Sequence, residues 1–353
     1  TQTITVALNT ASGLPVTVPF TVAGSATSTV DYTITASPVV IAAGATTTVI
    51  TITVVNDTLN ENPETVIVTM GTLTNGTKGA TTVHTATITD DDTIPTVAWT
   101  AALQASGNES GTMLVTAQLS AASGLDVTVP FVVSGSATTT VDYGVTASPI
   151  TILAGATTGA ATITMVADTL DELNETVVLT VGTPTNATVG TTTVHTATIT
   201  DDDDKPAVTF TTENQNSAES VVTQTITVAL NTASGLPVTV PFMVSGSATT
   251  TVDYTITASP VVIAAGATTT TITITVVDDT LNENNETVVV TMGTPTNGTQ
   301  GATTVHTATI LDNDVKPTVT FTTGSQSQLE SVVTQTITVA INTASGLPVT
   351  VPF

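Results

Sequence analysis

Val16-Thr17-Val18-Pro19-Phe20 returns unchanged at 127–131, 238–242 and 349–353, each copy 111 residues after the last. A fixed internal period sets the unit of folding, so it is read before anything else. Working outward from the pentapeptide, the same step carries Asp31-Tyr32 to Asp142-Tyr143 and Asp253-Tyr254. It also links His84, His195 and His306, and Trp99, Phe210 and Phe321. The 353 residues are therefore three periods of 111 and a remainder of 20. The first and third copies are nearly identical, and the second has drifted. The boundaries fall at 1–92 for a first repeat without its first strand, 93–204, 205–314, and 315–353 for the start of a fourth. Segments 1–20 and 334–353 differ only at Leu8 against Ile341. The expectation is a window cut from a longer array; the competing reading is donation of the C-terminal strand to a neighbouring chain.

Around the pentapeptide, apolar residues alternate with polar ones. Val16, Val18, Phe20 and Val22 point one way and Thr17, Pro19 and Thr21 the other. Ile4, Val6 and Leu8, then Ile50, Ile52 and Val54, then Val66, Val68 and Met70, then Ala86 and Ile88, repeat the pattern. A period of two is the sign of half-buried strands. In the second repeat the strands are expected at about 96–100, 112–119, 127–133, 142–152, 156–166, 175–181 and 191–200. Seven short strands in roughly 100 residues is the pattern of an immunoglobulin-like sandwich. The fold class is all-β: tandem seven-stranded sandwiches.

Composition narrows the function. Three Lys, no Arg and 28 acidic residues leave a net charge of −25. Nothing here neutralises nucleic-acid phosphates or docks on an anionic membrane. The absence of Cys excludes disulfides, thiolate zinc sites and cysteine nucleophiles. No apolar run reaches the ~20 residues of a membrane-spanning helix. With abundant Thr, Val and Ile and few helix formers, the chain reads as an acidic, extracellular or cell-surface β protein.

The acids recur with the period. In a sandwich whose strands run alternately up and down, connections after the first, third, fifth and seventh strands share one end. Glu109, Glu219 and Glu330 precede the second strand. Asp31, Asp142 and Asp253 follow the third. The fifth is followed by Asp57, Glu61 and Glu64, by Asp168, Glu172 and Glu175, and by Asp278, Asp279, Glu283 and Glu286. The seventh ends in Asp90, Asp91 and Asp92, in Asp201, Asp202 and Asp203, and in Asp312 and Asp314. Only Asp126, Asp171, Asp204 and Glu213 lie off these recurring positions. A solvated acidic surface would scatter and drift; here the second repeat changes many Thr, Ala and Val positions and keeps the acids. So many carboxylates at one end repel unless a cation neutralises them. Oxygen-only ligands in loops suit a hard cation of six to eight coordination, Ca²⁺. Mg²⁺ fits less well, since it dehydrates reluctantly.

Taken together, Gly24-Ser25-Ala26 with Asp31-Tyr32, the run from Asn56 to Glu64, and Asp90-Asp91-Asp92 resemble the Calx-beta domain. The resemblance covers essentially the whole chain. It implies a seven-stranded sandwich binding a cluster of Ca²⁺ ions at its distal loops. In the third repeat it carries ligand roles onto Glu219, Asp253, Asp278, Asp279, Glu283, Glu286, Asp312 and Asp314. Departures are Asn56-Asp57 and Ala167-Asp168 where the third repeat has Asp278-Asp279, and Asp312-Asn313-Asp314 at the close.

The His lie early in the seventh strand, away from the acids, and read as structural. No nucleophile elbow, phosphate loop or zinc motif is present, so no enzyme is expected. Two functions remain. One is a structural array stiffened by Ca²⁺, an extracellular filament, adhesin stalk or matrix fibre whose partners are copies of the same repeat. The other is a Ca²⁺-dependent module recognising a glycan or protein. All ten aromatics sit on the repeat grid, which leaves little for a binding face and favours the array. Only Thr93-Ile94, Asp204-Lys205 and Val315-Lys316 separate the acids from Pro95, Pro206 and Pro317. Linkers so short do not swivel freely, so each cluster is expected to abut the next repeat.

Overall fold

The computed structural model describes residues 1–106 and 108–353, and among them there is no helix. They form two compact units, Thr1–Val166 with Glu175–Ile199, and 167–174 with 200–353.

In the first unit, the second repeat is a sandwich. One sheet orders Tyr143–Val145, Thr158–Met165, Thr112–Leu119, Thr96–Trp99 and Thr188–Val189. The facing sheet orders Leu103–Ala105, Val194–Ile199, Glu175–Val181 and Phe131–Gly135. The inward set of each strand is the apolar set of the alternation. Val115, Ala161, Ile163, Val177 and Leu179 are all essentially sealed from solvent. Each large aliphatic side chain so buried stabilises the sandwich by about 1.5–3 kcal/mol. Trp99 sits between the sheets, its Nε1–H donating to the Leu179 carbonyl at 3.2 Å and its edge meeting Phe131. In the second unit the third repeat has the same two sheets, with Phe210 in place of Trp99. In residues 1–92, where the strand carrying Trp99 or Phe210 has no counterpart, Ile4, Val6, Phe20, Val68 and Met70 line an apolar groove.

Four points of the sequence reading are corrected. The third strand is two, Val127–Val129 and Phe131–Gly135, split at Pro130. Proline has no N–H to continue a ladder, and the halves pair differently: Val127–Val129 with Ile150–Ile152, Phe131–Gly135 with Glu175–Val181. The fourth is likewise two, Tyr143–Val145 and Ile150–Ile152. Beyond Phe20 the alternation lapses, and Val22 is exposed. The connection before the second strand also holds a strand with no apolar alternation, Asn214–Ala218 in the third repeat. It is held through its backbone, parallel to Val305–Leu311.

The histidines are structural where the first strand is present. Nδ1 of His195 and of His306 lies 2.7 Å from the carbonyls of Ala101 and Thr212. Both rings are buried. His84 is exposed.

Candidate metal centre

Each acid is placed by a local device that recurs. The backbone N–H of Thr27 donates to Asp31 Oδ2, as Thr138 does to Asp142 and Thr249 to Asp253. To make that turn, Thr29, Thr140 and Thr251 adopt left-handed backbone with φ of 74°, 69° and 68°. A β-branched residue pays about 1–2 kcal/mol for that conformation, so the loop is held by its contacts rather than by preference. After the fifth strand, Asp57, Asp168 and Asp279 each accept the N–H two residues on, from Leu59, Leu170 and Leu281, at 2.7–2.8 Å. These side-chain turns bend the loop on itself.

The Gly-Ser-Ala motif aims the next ligand. Gly24, Gly135 and Gly246 have φ near +130°. A Cβ on any of them would run into the backbone carbonyl of Thr65, Thr176 or Thr287. The close approach lets Ser25 Oγ accept from Thr65 N–H at 2.9 Å, with Ser136 and Ser247 doing the same. The residue pinned in this way immediately follows Glu64, Glu175 or Glu286.

In the first repeat, oxygens of Asp31, Glu61 and Glu64 lie within 4.8 Å of one another. Asp57, Asp90, Asp91 and Asp92 line the same depression. Partial burial, then the charges of Asp57, Asp31, Asp90 and Asp92, push the Glu61 carboxyl above its usual range. Burial also raises Glu64, with its hydrogen bond to Asp31 next.

In the third repeat a different set, Glu219, Asp312 and Asp314, has oxygens within 4.8 Å of one another. Glu219, Asp253, Glu283, Glu286 and Asp312 surround one depression. The polar strand Asn214–Ala218 explains how Glu219 arrives. It runs parallel to the seventh strand, so its end meets that strand's end, where Glu219 N–H donates to the Leu311 carbonyl at 2.9 Å. Glu219 is buried, and its carboxyl is pushed up to about 7 by burial and then by Asp279, Asp314, Asp278 and Asp312. Glu286 also reaches about 7, through burial, its hydrogen bond to Asp253 and that residue's charge. Asp278 stands beside Asn313, whose Nδ2–H₂ donates to it at 3.5 Å.

The second repeat's acids divide between the two units. Glu109, Asp142 and Glu175 belong to the first; Asp168, Glu172, Asp201, Asp202 and Asp203 to the second. Within the second, Glu172 N–H donates to Asp201 Oδ1 at 3.0 Å. Burial chiefly raises Asp201 and Asp203, with neighbouring aspartates adding to it. Glu330 is exposed.

Sequence reasoning missed the amides that support the acids. Asn60 Nδ2–H₂ donates to Asp90 Oδ2, and Asn282 Nδ2–H₂ to Asp312 Oδ2, both at 3.0 Å. The third position of this set is Asp171, buried, with Oδ2 unpartnered. Asn174 and Asn285 accept from the N–H of Asp201 and Asp312. The available signal was their recurrence beside the glutamates, Asn174 and Asn285 being 111 residues apart and Asn60 and Asn282 222.

The arrangement fits a hard dication. Every candidate ligand atom is a carboxylate oxygen, the carboxyls are raised first by burial and then by one another's charge, and Asp314 Oδ2 is buried without a hydrogen-bond partner. Carboxylates so placed either take protons or share a cation.

The sequence model of one family, the Calx-beta domain, matches residues 1–92, 103–204 and 201–314. No curated protein matches the chain in sequence. Among solved structures, CBD12 from CALX1.2 is 15% identical, with 61% of this chain and 99% of that one covered and a TM-score of 0.30. The apo-form Calx CBD1 domain is 18% identical over 31% of this chain and 100% of that one, with a TM-score of 0.30. A protein of unknown function from Porphyromonas gingivalis W83 is 10% identical over 61% and 99%, with a TM-score of 0.22.

Proposed function

The chain belongs to the Calx-beta domain family, and from that premise we propose that it is a calcium-binding structural array, part of an extracellular filament, adhesin stalk or matrix fibre. The observation that carries the reading is the convergence of Asp31, Glu61 and Glu64, and of Glu219, Asp312 and Asp314, in a chain with three Lys and no Arg. Three Lys cannot neutralise 28 acidic residues. A bound Ca²⁺ supplies that charge. Asp31 and Glu64, or Asp253 and Glu286, would hold it from the sandwich side; Glu61 or Glu283 would hold it from the loop, and Asp90 to Asp92, or Asp312 and Asp314, from the end of the seventh strand. Glu109, Asp142 and Glu175 of the first unit, Asp168, Glu172 and Asp201 to Asp203 of the second, and Glu330 recur at the corresponding sequence positions. The work is mechanical rather than catalytic: charge that pushes the loops apart becomes charge that ties them together.

A ligand bound only by the folded state stabilises it, by about 2.7 kcal/mol for each independent site at a hundred times its Kd. The melting temperature should rise with Ca²⁺, fall in chelator, and respond much less to equal Mg²⁺. An unchanged melt in chelator contradicts the metal-centre reading. Glu283→Ala with Asp312→Ala should remove most of the third repeat's response, and Glu213→Ala should not.

A further inference from the structure

The second, third and fourth repeats each present a Ser-Gly pair to the acidic loop of the repeat before them. Ser123 Oγ donates to the Asn60 carbonyl at 3.3 Å, Ser234 Oγ to the Asp171 carbonyl at 3.2 Å, and Ser345 Oγ to the Asn282 carbonyl at 3.4 Å. The neighbouring glycine then lies against the side chain of the following glutamate. A Cβ built on Gly124 would stand 2.5 Å from Glu61 Cγ, on Gly235 2.5 Å from Glu172 Cγ, and on Gly346 2.7 Å from Glu283 Cγ. Gly124 N–H also donates to the Asn60 carbonyl at 3.1 Å. Ser123 and Ser234 are almost wholly buried.

The seat is held by bonds within its own repeat. Ser123, Ser234 and Ser345 each accept the N–H two residues on, from Leu125, Leu236 and Leu347. The carbonyls of Ser123 and Ser234 are tied across their own repeats to Gly155 and Gly266 N–H at 2.8 Å. The first repeat has the same device in Ser12-Gly13, with Leu14 N–H on Ser12 Oγ and Gly44 N–H on its carbonyl. A Cβ on Gly13 would meet nothing within 4 Å. The crowding at the other three glycines therefore comes from the preceding repeat and not from the loop itself.

We propose that the Ser-Gly pairs at 123–124, 234–235 and 345–346 are positioning residues for the metal centre of the repeat before them. The missing side chain leaves the space in which Glu61, Glu172 or Glu283 turns its carboxylate toward the cluster, and the serine fixes the loop that carries it. Metal affinity of one repeat is then set partly by the next, and by linkage the ion strengthens the contact between them. This rests on the calcium reading above.

The test uses the full chain, titrated with CaCl₂ by calorimetry at fixed ionic strength, with melts in chelator and in Ca²⁺. Outer partners of metal ligands typically contribute 10–100-fold in affinity. Gly124→Val should therefore weaken the first repeat's ions at least tenfold and shrink the Ca²⁺-induced rise in melting temperature, with the melt in chelator little changed. Gly13→Val makes the same substitution in the same loop where space is open, and should titrate as wild type. Ser123→Ala should weaken binding less than Gly124→Val. A Gly124→Val chain that titrates as wild type overturns the proposal, and so does an equal loss in Gly13→Val. A wild-type chain that takes up no Ca²⁺ overturns the functional reading itself, and this inference with it.

Discussion

Asp171 shows how one residue shifts the balance in these clusters. Asn60 and Asn282 donate to Asp90 and Asp312, while the corresponding position of the second repeat brings a second carboxylate toward Asp201. Without Ca²⁺, Asp171→Asn restores a donor at a buried site and should stabilise the chain by about 0.5–1.5 kcal/mol, the usual net value of such a bond; a lower melting temperature in chelator would contradict this. Glu219 and Glu286 make a second prediction. Their carboxyls are raised from 4.5 to about 7 in the fold. Between those values the folded state holds more protons than the unfolded, so stability falls as pH rises through the interval. The Ca²⁺-free chain should melt higher at pH 5 than at pH 8, and Ca²⁺ should shrink the difference. A metal-free melt independent of pH over that range would show that these groups are not strained. At this scale the sequence was legible where recurring acids also meet in space, as Asp31, Glu61 and Glu64 do, and not at Glu330, which recurs and is exposed. Asp171 was read as off the grid because its meaning lies in burial and in the amide it replaces, neither of which spacing reveals.

At the scale of the element, strands with alternating Val, Ile and Thr were readable because one face is buried. Thr112–Leu119, Thr158–Met165 and Glu175–Val181 stand close to where alternation puts them. What alternation could not show was where a strand changes partner at Pro130, or that Asn214–Ala218 is a strand at all. That segment is ordered by its backbone, and its side chains carry no apolar period. The Gly-Ser-Ala motif lay between these cases: visible as a repeat, with its role apparent only once Gly246 was seen against the Thr287 carbonyl. Gly246→Ala must either open that approach or force strained backbone. It should cost on the order of 3 kcal/mol and weaken Ca²⁺ binding in the third repeat by shifting Glu286. Thermal melts with a Ca²⁺ titration check both; a loss of stability with unchanged affinity would separate the motif from the metal centre.

For the whole molecule, the period of 111 residues both defines the sandwiches and returns the acids to the loops at one end of each. The same period brings Ser123, Ser234 and Ser345 to the preceding loop. Charge and contact therefore meet at the junctions, which is where an array gains or loses stiffness. The most direct measurement is small-angle X-ray scattering on the full chain in Ca²⁺ and in chelator. If the ions tie each acidic loop to the repeat that follows it, Ca²⁺ should give an extended particle with little flexibility, and chelator should broaden its distance distribution while the sandwiches themselves persist. The same maximum dimension and the same flexibility in both conditions would contradict the account.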